Sequence, residues 1–177
     1  MSWLRNVMYD RLIPYVKEFR NGKLITFGGS SGLLKYVSRD VDVLVTHHED
    51  IDAQKTEFND GEWDYIITDQ VMEHVDNPWY VVNEHKRILR SGGVAICTSV
   101  FYRSIHTNHD HFRFTPDGLC KLFSEFEILE SGSWGNKDAA FLAIVDKISI
   151  EKTEIDRLNL HNDRKFPIVV WVVAKKN

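Results

Sequence analysis

The feature that most constrains how this chain folds is a glycine-rich turn placed directly after a short apolar run. Leu24, Ile25 and Phe27 form the run, and residues 28–32 (Gly-Gly-Ser-Ser-Gly) interrupt it. Glycine adopts backbone conformations that other residues avoid, so the pattern predicts a buried strand, a tight turn and then a short helix over residues 33–37. In α/β proteins, ligands bind beyond the carboxyl ends of strands, which makes this turn a candidate binding site.

Further along the chain, strand-like apolar runs alternate with helical patterns. Strands are predicted at residues 41–46, 65–68 and 94–100, and helices at residues 12–19, 78–91 and from 116 onward. Two late apolar runs, around Leu142 and Val170, are typical of an antiparallel edge pair. The alternation predicts an α/β fold with a mostly parallel sheet, helices on both faces and a C-terminal antiparallel strand pair.

Size and composition favour one globular unit, a single domain over residues 1–177 with 43% hydrophobic and 27% charged residues. The apolar run of residues 168–174 is too short to cross a bilayer and no signal-peptide pattern opens the chain, so we expect no membrane association and a cytoplasmic location. Cys97 and Cys120 are expected to be small buried hydrophobes, not a disulfide. Residues 151–165 are charged and are expected to form a surface connection.

The formal net charge of −4 argues against nucleic acid as a partner, because such a surface normally shows an excess of Lys and Arg. A small molecule, a sugar or a protein is the expected partner class.

Three segments after the turn carry a resemblance to a known family. Residues 52–64 begin with Asp-Ala and end with Trp-Asp, residues 71–75 read Val-Met-Glu-His-Val, and residues 87–93 read Arg-Ile-Leu-Arg-Ser-Gly-Gly. In order and spacing they resemble the Asp-Ala run, the Leu-Glu-His-Val segment and the Arg-Val-Leu-Lys-Pro-Gly-Gly turn of class I S-adenosylmethionine-dependent methyltransferases. The resemblance spans about residues 24–126 and implies a Rossmann-like methyltransferase fold.

The resemblance implies S-adenosylmethionine as the cofactor and assigns its contacts. The methionine part would lie over the glycine turn, Asp52 would accept a hydrogen bond from the adenine amino group, and Ala53 would lie beside the ring. Asp69 and Gln70 would line the methionine end and the acceptor entrance, unless they only cap the following helix. The implied cofactor-binding residues are Gly28, Gly29, Ser30, Gly32, Asp52, Ala53, Asp69 and Gln70.

Methyl transfer to a hydroxyl needs alignment and a base, and a histidine is suited to that role near neutral pH. His106 is the leading candidate, with Asp69 and His109 as further catalytic candidates. The alternative is a polar loop whose histidines are solvated or hydrogen-bonded, and His74 is expected to be structural. No metal site is predicted, because no third ligand stands at a recognised spacing.

Residues 101–119, after the predicted strand at 94–100, are similar to those of methyltransferases found with glycan biosynthesis. That similarity favours a small-molecule or sugar acceptor.

The chain also departs from the family pattern. Thr26 replaces an acidic residue, Ser30 replaces the central glycine, and Thr46 stands where an acid usually ends the second strand. The helix between the second and third strands is almost entirely missing. These departures leave two hypotheses open: an active methyltransferase, or a catalytically silent methyltransferase-like subunit that binds a protein partner or a second copy. A nicotinamide-dependent oxidoreductase would need a different glycine spacing.

Overall fold

The computed structural model describes residues 3–144 and 161–177. The strands are β1 Gly22–Phe27, β2 Val41–Val45, β3 Trp63–Asp69, β4 Leu89–Val100, β5 Glu127–Trp134 and β6 Val169–Lys175. The helices are α1 Trp3–Lys17, α2 Pro78–Ile88, α3 Pro116–Leu122 and α4 Lys137–Ile144. A 3₁₀ helix, Gly32–Tyr36, follows the glycine turn where the sequence predicts a short helix.

The strands form one six-stranded sheet in the order β2-β1-β3-β4-β6-β5. The first four strands in that order are parallel, and β6 runs antiparallel between β4 and β5. This arrangement confirms the mostly parallel sheet with a C-terminal antiparallel pair. The carboxyl ends of β1, β2 and β3 therefore meet at one edge of the sheet, where the predicted site residues are gathered.

The antiparallel pair contains one element that differs from the sequence prediction. The apolar run around Val170 is β6, but its antiparallel partner is β5, and the run around Leu142 belongs to α4. Asn136 Oδ1 accepts a hydrogen bond from Ala139 N at 2.9 Å, which caps the start of that helix. A short apolar run does not distinguish a strand from a buried helix, which is why the pattern misled.

Two hydrophobic cores lie on opposite faces of the sheet because strand side chains alternate. Ile66 packs in the core under α2 and α3, whereas the next residue, Ile67, packs in the core under α1. Met8 and Leu12 of α1 are fully buried in that second core. The prediction of helices on both faces is confirmed, and both cysteines are free.

The boundary between α2 and β4 lies earlier than the sequence pattern indicates. Asn77 caps α2, its side chain accepting from Trp79 N at 3.1 Å. The helix ends at Ile88, not at the glycine pair, because Leu89 already pairs with Trp63 of β3. Sheet pairing therefore overrides the helical periodicity in the last turn.

The connection between β2 and β3, residues 46–62, contains neither helix nor strand, so β2 forms an edge of the sheet. This agrees with the missing helix inferred from the sequence. Within residues 3–144 and 161–177, no helix is both long enough and apolar enough to span a membrane. Of the charged segment at 151–165, residues 151–160 lie outside the described residues, and Arg164 and Lys165 are exposed.

Candidate functional site

The glycine turn requires glycine at its first two positions. Gly28 and Gly29 have φ angles of +89° and +84°, in the region that side chains disfavour. A Cβ atom on Gly28 would lie 2.5 Å from Cγ2 of Val71, and one on Gly29 would lie 3.1 Å from Cε1 of His47. The turn thus brings the end of β1 against the segments that follow β2 and β3.

Two buried threonines hold the turn in place where the family usually has acidic side chains. Thr26 donates from Oγ1 to the carbonyl oxygen of Gly29 at 3.1 Å. Thr46 donates from Oγ1 to the carbonyl oxygen of Thr26 at 2.8 Å, and its own carbonyl accepts from Gly29 N at 2.8 Å. Thr26 and Thr46, two of the departures from the family pattern, therefore form with Gly29 a closed hydrogen-bond network that fixes the turn to the end of β2.

A cleft of about 530 Å³ opens beyond the carboxyl ends of β1, β2 and β3. Cavities of this size accommodate cofactors and small ligands. The lining residues are Phe27, Gly28, Thr46, His47, His48, Ile51, Asp52, Ala53, Gln54, Gln70, Val71, His74, Val75, Asp76, Thr107 and His109.

The cleft brings together half of the residues predicted for the site. Lining it are Gly28, Asp52, Ala53, Gln70 and His109. Outside its lining are Gly29, Ser30, Gly32, Asp69 and His106. Of these five residues, Gly29, Gly32 and Asp69 are buried next to the cleft and Ser30 is exposed.

Asp69, at the end of β3, is a buried carboxylate engaged by hydroxyl groups from three other segments. Ser31 Oγ donates to Oδ2 at 2.8 Å, Thr98 Oγ1 donates to Oδ1 at 2.7 Å, and Tyr9 donates to Oδ2. Burial, and then the neighbouring carboxylate of Asp69, raise the pKa of Tyr9 to about 12, so the phenol keeps its proton. The geometry suits Asp69 to joining α1, the glycine turn and β4.

Gln70 follows directly and has a positive φ of 60°. Its backbone N–H donates to Oγ1 and to the carbonyl oxygen of Thr98, each at 3.2 Å, and its Nε2 also donates to Oγ1 of that residue. A left-handed backbone at a non-glycine residue costs free energy and is concentrated at functional sites. In this protein the residue with the left-handed backbone, Gln70, lines the cleft.

The wall formed by residues 52–60 is held to α2 by ionic and polar contacts. Glu84 Oε1 accepts from Thr56 N at 2.7 Å and from Oγ1 at 2.6 Å, and Arg87 donates from Nη2 to the same oxygen at 2.7 Å. Arg87 also donates from Nη1 to the carbonyl oxygen of Phe58 at 2.7 Å. Burial acts to raise the pKa of Glu84, but hydrogen bonds from Arg87 and Thr56 outweigh it and hold the value at about 2.

Asp52, the predicted adenine partner, is exposed on this wall. Its Oδ1 accepts from Gln54 N at 2.9 Å and from Gln54 Nε2 at 3.2 Å, and Gln54 Oε1 in turn accepts from Asn77 N at 2.8 Å. Ala53 beside it is buried. Because both bonds from Gln54 end on Oδ1, Oδ2 of the Asp52 carboxylate can accept a bond from a ligand in the cleft.

Histidines line the other side of the cleft. His74 Nδ1 lies 2.6 Å from the carbonyl oxygen of His109, so this nitrogen carries the proton and donates it. In the neutral ring, Nε2 of His74 then has the free electron pair. The ring of His106 packs edge-on against that of His74, with centroids 5.0 Å apart. We call His74, His106 and His109 the histidine cluster.

His106 is oriented by an ion-pair network behind the cleft. Its Nδ1 lies 3.1 Å from Oδ2 of Asp110, whose side chain is 1% exposed. Arg113 donates to both carboxylate oxygens, from Nη2 at 2.8 Å, and holds the pKa of Asp110 well below its usual range. Burial and then the positive charge of Arg103 lower the pKa of His106, which favours the neutral ring.

Glu73 anchors the loop that carries these histidines. Its carbonyl oxygen accepts from His111 N at 2.7 Å and from Phe112 N at 3.2 Å, and its carboxyl oxygen Oε2 accepts from Ser99 Oγ at 2.7 Å. The side chain is fully buried, and burial raises the pKa of Glu73. In the Glu-His-Val segment, Glu73 thus holds the loop and His74 faces the cleft.

The sequence interpretation missed His47, His48, His74 and Thr107 as cleft residues. His74 was expected to be structural, although its place in a family segment beside the acceptor entrance was the available signal. His47 and His48 follow β2 in place of the usual acid, and only the folded sheet shows that they face the cleft. Among the described residues, no group of His, Cys, Asp and Glu side chains is arranged to hold a metal ion.

Comparison with known proteins agrees with this fold. A family model described as a methyltransferase domain matches residues 17–97, just under half of the chain. No curated protein matches the sequence.

Solved structures match almost the whole chain. A chain from the complex of the Haloferax volcanii Trm112 methyltransferase activator with a methyltransferase is 14% identical, with a TM-score of 0.60 and coverage of 94% of this chain and 88% of that one. Phosphoethanolamine N-methyltransferase 2 of Haemonchus contortus, solved with S-adenosyl-L-methionine, gives 12% identity, a TM-score of 0.62 and coverage of 98% and 52%.

Geranyl diphosphate C-methyltransferase from Streptomyces coelicolor A3(2), in complex with S-adenosyl-L-homocysteine, gives 11% identity, a TM-score of 0.62 and coverage of 97% and 78%. With sequence identities this low, the structural matches show similarity of fold alone. The fold inferred from the sequence motifs is thereby confirmed beyond residues 17–97, to nearly the full chain.

Proposed function

Because the chain has the fold of class I S-adenosylmethionine-dependent methyltransferases, we propose that it transfers a methyl group to an oxygen or nitrogen atom of a small molecule or glycan. The observation that carries the proposal is the cleft at the carboxyl ends of β1, β2 and β3. The glycine turn and Asp52 lie on one side of it and the histidine cluster lies against the other.

The cleft fits S-adenosylmethionine at its methionine and adenine ends. Gly28 lines the cleft where the methionine part would lie, with Gly29, Ser30 and Gly32 completing the turn. Asp52 offers a carboxylate oxygen for the adenine amino group, and Ala53 is small enough for the ring to lie beside it. At the ribose end, His47 and His48 take the place of the usual carboxylate. The ligands of the H. contortus and S. coelicolor enzymes support this cofactor.

When bound, S-adenosylmethionine supplies an electrophilic methyl group, so the protein's part is to align the acceptor and accept its proton. His74 and His109 line the cleft and can reach a bound acceptor, and His106 packs directly behind His74. We assign proton transfer to this histidine cluster, with the Asp110 carboxylate orienting the ring of His106. Asp69, engaged by three hydroxyl groups, acts by positioning the turn and Gln70.

A polar acceptor is favoured by the side chains at this end of the cleft. Gln70, Asp76 and Thr107 line it together with the histidines, which gives both donors and acceptors for hydroxyl groups. The similarity of residues 101–119 to methyltransferases of glycan biosynthesis supports a sugar among the possible acceptors. The solved relatives include both N- and C-methyltransferases, so the fold leaves the acceptor atom to experiment.

The cofactor site is tested by calorimetric titration of the protein with S-adenosylmethionine and S-adenosylhomocysteine. We expect micromolar binding that Asp52→Ala weakens by about ten- to a hundredfold, since a hydrogen bond to a charged group contributes about 1.5 to 3 kcal/mol. Asp50→Ala is the matched control, because Asp50 is exposed nearby but lies outside the cleft lining. Equal affinity for both variants would contradict the assignment of Asp52.

The activity is tested by transfer of a labelled methyl group from S-adenosylmethionine to a panel of sugars, nucleotide sugars and small hydroxyl or amine compounds. Incorporation that depends on His74 and His109 supports the proposal. Folded protein that binds the cofactor but methylates nothing across the panel counts against this acceptor class.

A catalytically silent, partner-binding subunit is a second candidate function. It is favoured by the network of Thr26, Gly29 and Thr46, which occupies positions where the family pattern has acids that hold the cofactor. The relative that forms a complex with the Trm112 activator supports a role in association. Absence of cofactor binding up to millimolar concentrations, together with a protein that co-purifies in stoichiometric amount, would favour this candidate over the enzyme.

A further inference from the structure

Arg103 lies in the loop that follows β4, and its positive charge is not neutralised. β4 is parallel to β3 and ends at Val100, so this loop leaves the sheet at the same edge as the cleft. Among residues 3–144 and 161–177, no carboxylate forms an ion pair with Arg103. Its Nε atom is buried and has no hydrogen-bond partner. A buried donor without a partner costs free energy, so this guanidinium is a candidate for binding a ligand.

The second arginine of this loop, Arg113, is neutralised by Asp110. Arg113 donates to both carboxylate oxygens, from Nη2 to Oδ2 at 2.8 Å, and the Asp110 side chain is 1% exposed. Nη2 of Arg113 also donates to the carbonyl oxygen of Arg103 at 3.3 Å, which holds the backbone of Arg103 beside this ion pair. When its histidines are neutral, the loop over residues 101–114 therefore carries one positive charge in excess, that of Arg103.

The charge of Arg103 acts on the histidine cluster. Burial first, and then the positive charge of Arg103, lower the pKa of His106. The ring of His106 packs against that of His74, which lines the cleft. Arg103 itself lies outside the cleft lining. A group bound to Arg103 would therefore lie at the rim of the cleft, next to the histidines to which proton transfer is assigned.

The carboxylates around the cleft leave the charge of Arg103 uncompensated. Asp52 lies on the opposite wall, and Asp76 Oδ1 lies 3.7 Å from Nε2 of His111. Glu73 is fully buried, and burial raises the pKa of this carboxyl group and favours its neutral form. The positive charge is therefore available to an anionic ligand.

We propose that Arg103 binds an anionic group of the methyl acceptor, which is then a sugar or small molecule that carries a phosphate or a carboxylate. A guanidinium presents its N–H donors in a planar fork that matches either anion. With the anion held at the rim, the rest of the acceptor extends past His106 to His74 and His109 in the cleft. This inference rests on the proposed methyl transfer, because it names a group on the acceptor of that reaction.

Calorimetric titration with glucose, glucose 6-phosphate and glucuronate tests the proposal without requiring turnover. Each compound is added to the protein with and without S-adenosylhomocysteine. We expect both anions to bind at least about tenfold more tightly than glucose, since hydrogen bonds between charged groups are the stronger ones. The tighter of the two anions identifies whether the group is a phosphate or a carboxylate.

Variants of Arg103 separate a binding role from a structural one. Arg103→Gln should remove the preference for anions and leave the affinity for glucose unchanged. Arg103→Lys, which keeps the charge but loses the fork, should retain part of the preference. Arg39→Gln is the matched control, because Arg39 is exposed and precedes β2 at the opposite edge of the sheet, and it should behave like the wild type. Circular dichroism checks that each variant is folded.

Three results would overturn the proposal: equal affinity of the wild type for all three compounds, a preference that survives in Arg103→Gln, or an equal loss in Arg39→Gln. A loss of S-adenosylhomocysteine affinity in Arg103→Gln, measured without any sugar, would assign the guanidinium to the cofactor carboxylate and also overturn it. Labelled methyl transfer is scored separately. Transfer to uncharged sugars alone would contradict this inference and leave the proposed function intact. Anion binding that depends on Arg103, without transfer to any compound, would contradict the proposed function alone.

Discussion

The Nδ1 atom of His74 lies 2.6 Å from the carbonyl oxygen of His109, although the two residues are 35 positions apart in the sequence. This contact fixes the tautomer of His74 and leaves Nε2 as its basic nitrogen. It also ties the segment after β3 to the loop after β4, both of which line the cleft. The chemistry proposed for the cleft depends on this arrangement.

Replacing His74 by glutamine should abolish most methyl transfer while cofactor binding is retained. Removing a general base typically costs 10²- to 10⁴-fold in kcat. Glutamine keeps a donor for the His109 carbonyl but cannot accept the acceptor's proton. The measurement is kcat with labelled S-adenosylmethionine, with cofactor affinity by calorimetry. His111→Gln is the control, because His111 lies on the same loop as His109 but outside the cleft lining, and unchanged activity in His74→Gln would exclude His74 as the base.

The contribution of His106 to the rate should persist below the ordinary histidine pKa of 6.5 and be lost only at a lower pH. Burial and Arg103 lower the pKa of His106, so this ring stays neutral to lower pH than an exposed histidine. If His106 assists proton transfer, His106→Gln should alter the acid limb of the kcat profile as well as its height. An unaltered acid limb, with kcat scaled uniformly, would indicate that His106 only supports the loop.

Gly28→Ala should weaken cofactor binding and destabilise the fold. The added Cβ would lie 2.5 Å from Cγ2 of Val71, and the φ of +89° disfavours any side chain. Gly92→Ala is the matched control, because Gly92 also has a positive φ, +77°, yet its nearest new contact is 3.9 Å away. We expect a loss of about 1 kcal/mol from the control, without change in cofactor affinity, and a larger loss of both for Gly28→Ala. Thermal unfolding and calorimetry measure the two effects.

The free energy of unfolding should decrease as the pH is lowered from about 6.5 to about 3 because of His85. This side chain is fully buried, and burial lowers its pKa from 6.5 to about 3. A group whose pKa is lower in the folded state binds fewer protons there, so the free energy of unfolding falls as pH drops below 6.5, by up to about 1.4 kcal/mol per pH unit. His85→Gln, which can still bond Thr68, should flatten the dependence measured by urea unfolding at pH 7 and pH 5.

Glu84→Gln should destabilise the protein at neutral pH and remove part of its acid sensitivity. The carboxylate is favoured in the folded state, where the pKa is about 2, so its contribution is complete above the ordinary value of 4.5 and is lost as pH falls toward 2. A cost on the order of 2 to 3 kcal/mol is expected, since two partners lose a charged acceptor. Glu125→Gln is the control, because its pairing with Lys86 is largely exposed and contributes under about 1 kcal/mol.

Only part of the candidate site could be predicted from the sequence. Gly28, Asp52 and Gln70 were predicted as cleft residues because they belong to segments with a characteristic order and spacing. Such local patterns can be recognised in the sequence alone. His47 was missed as a cleft residue, because its role depends on the end of β2 lying beside β1. Asp69 was identified from its position, but its three hydroxyl partners come from residues 29 to 60 positions away and share no sequence pattern with it.

The sequence by itself determined the order of strands and helices as far as α3, the parallel sheet and the glycine turn, because hydrophobic periodicity and backbone preference act over a few neighbouring residues. Only the tertiary structure decided that the Leu142 run is a helix, that β2 is left at an open edge and that His74 meets the carbonyl of His109. Those outcomes depend on contacts between residues far apart in the chain, whose energies are set by packing and by the pairing of buried polar groups.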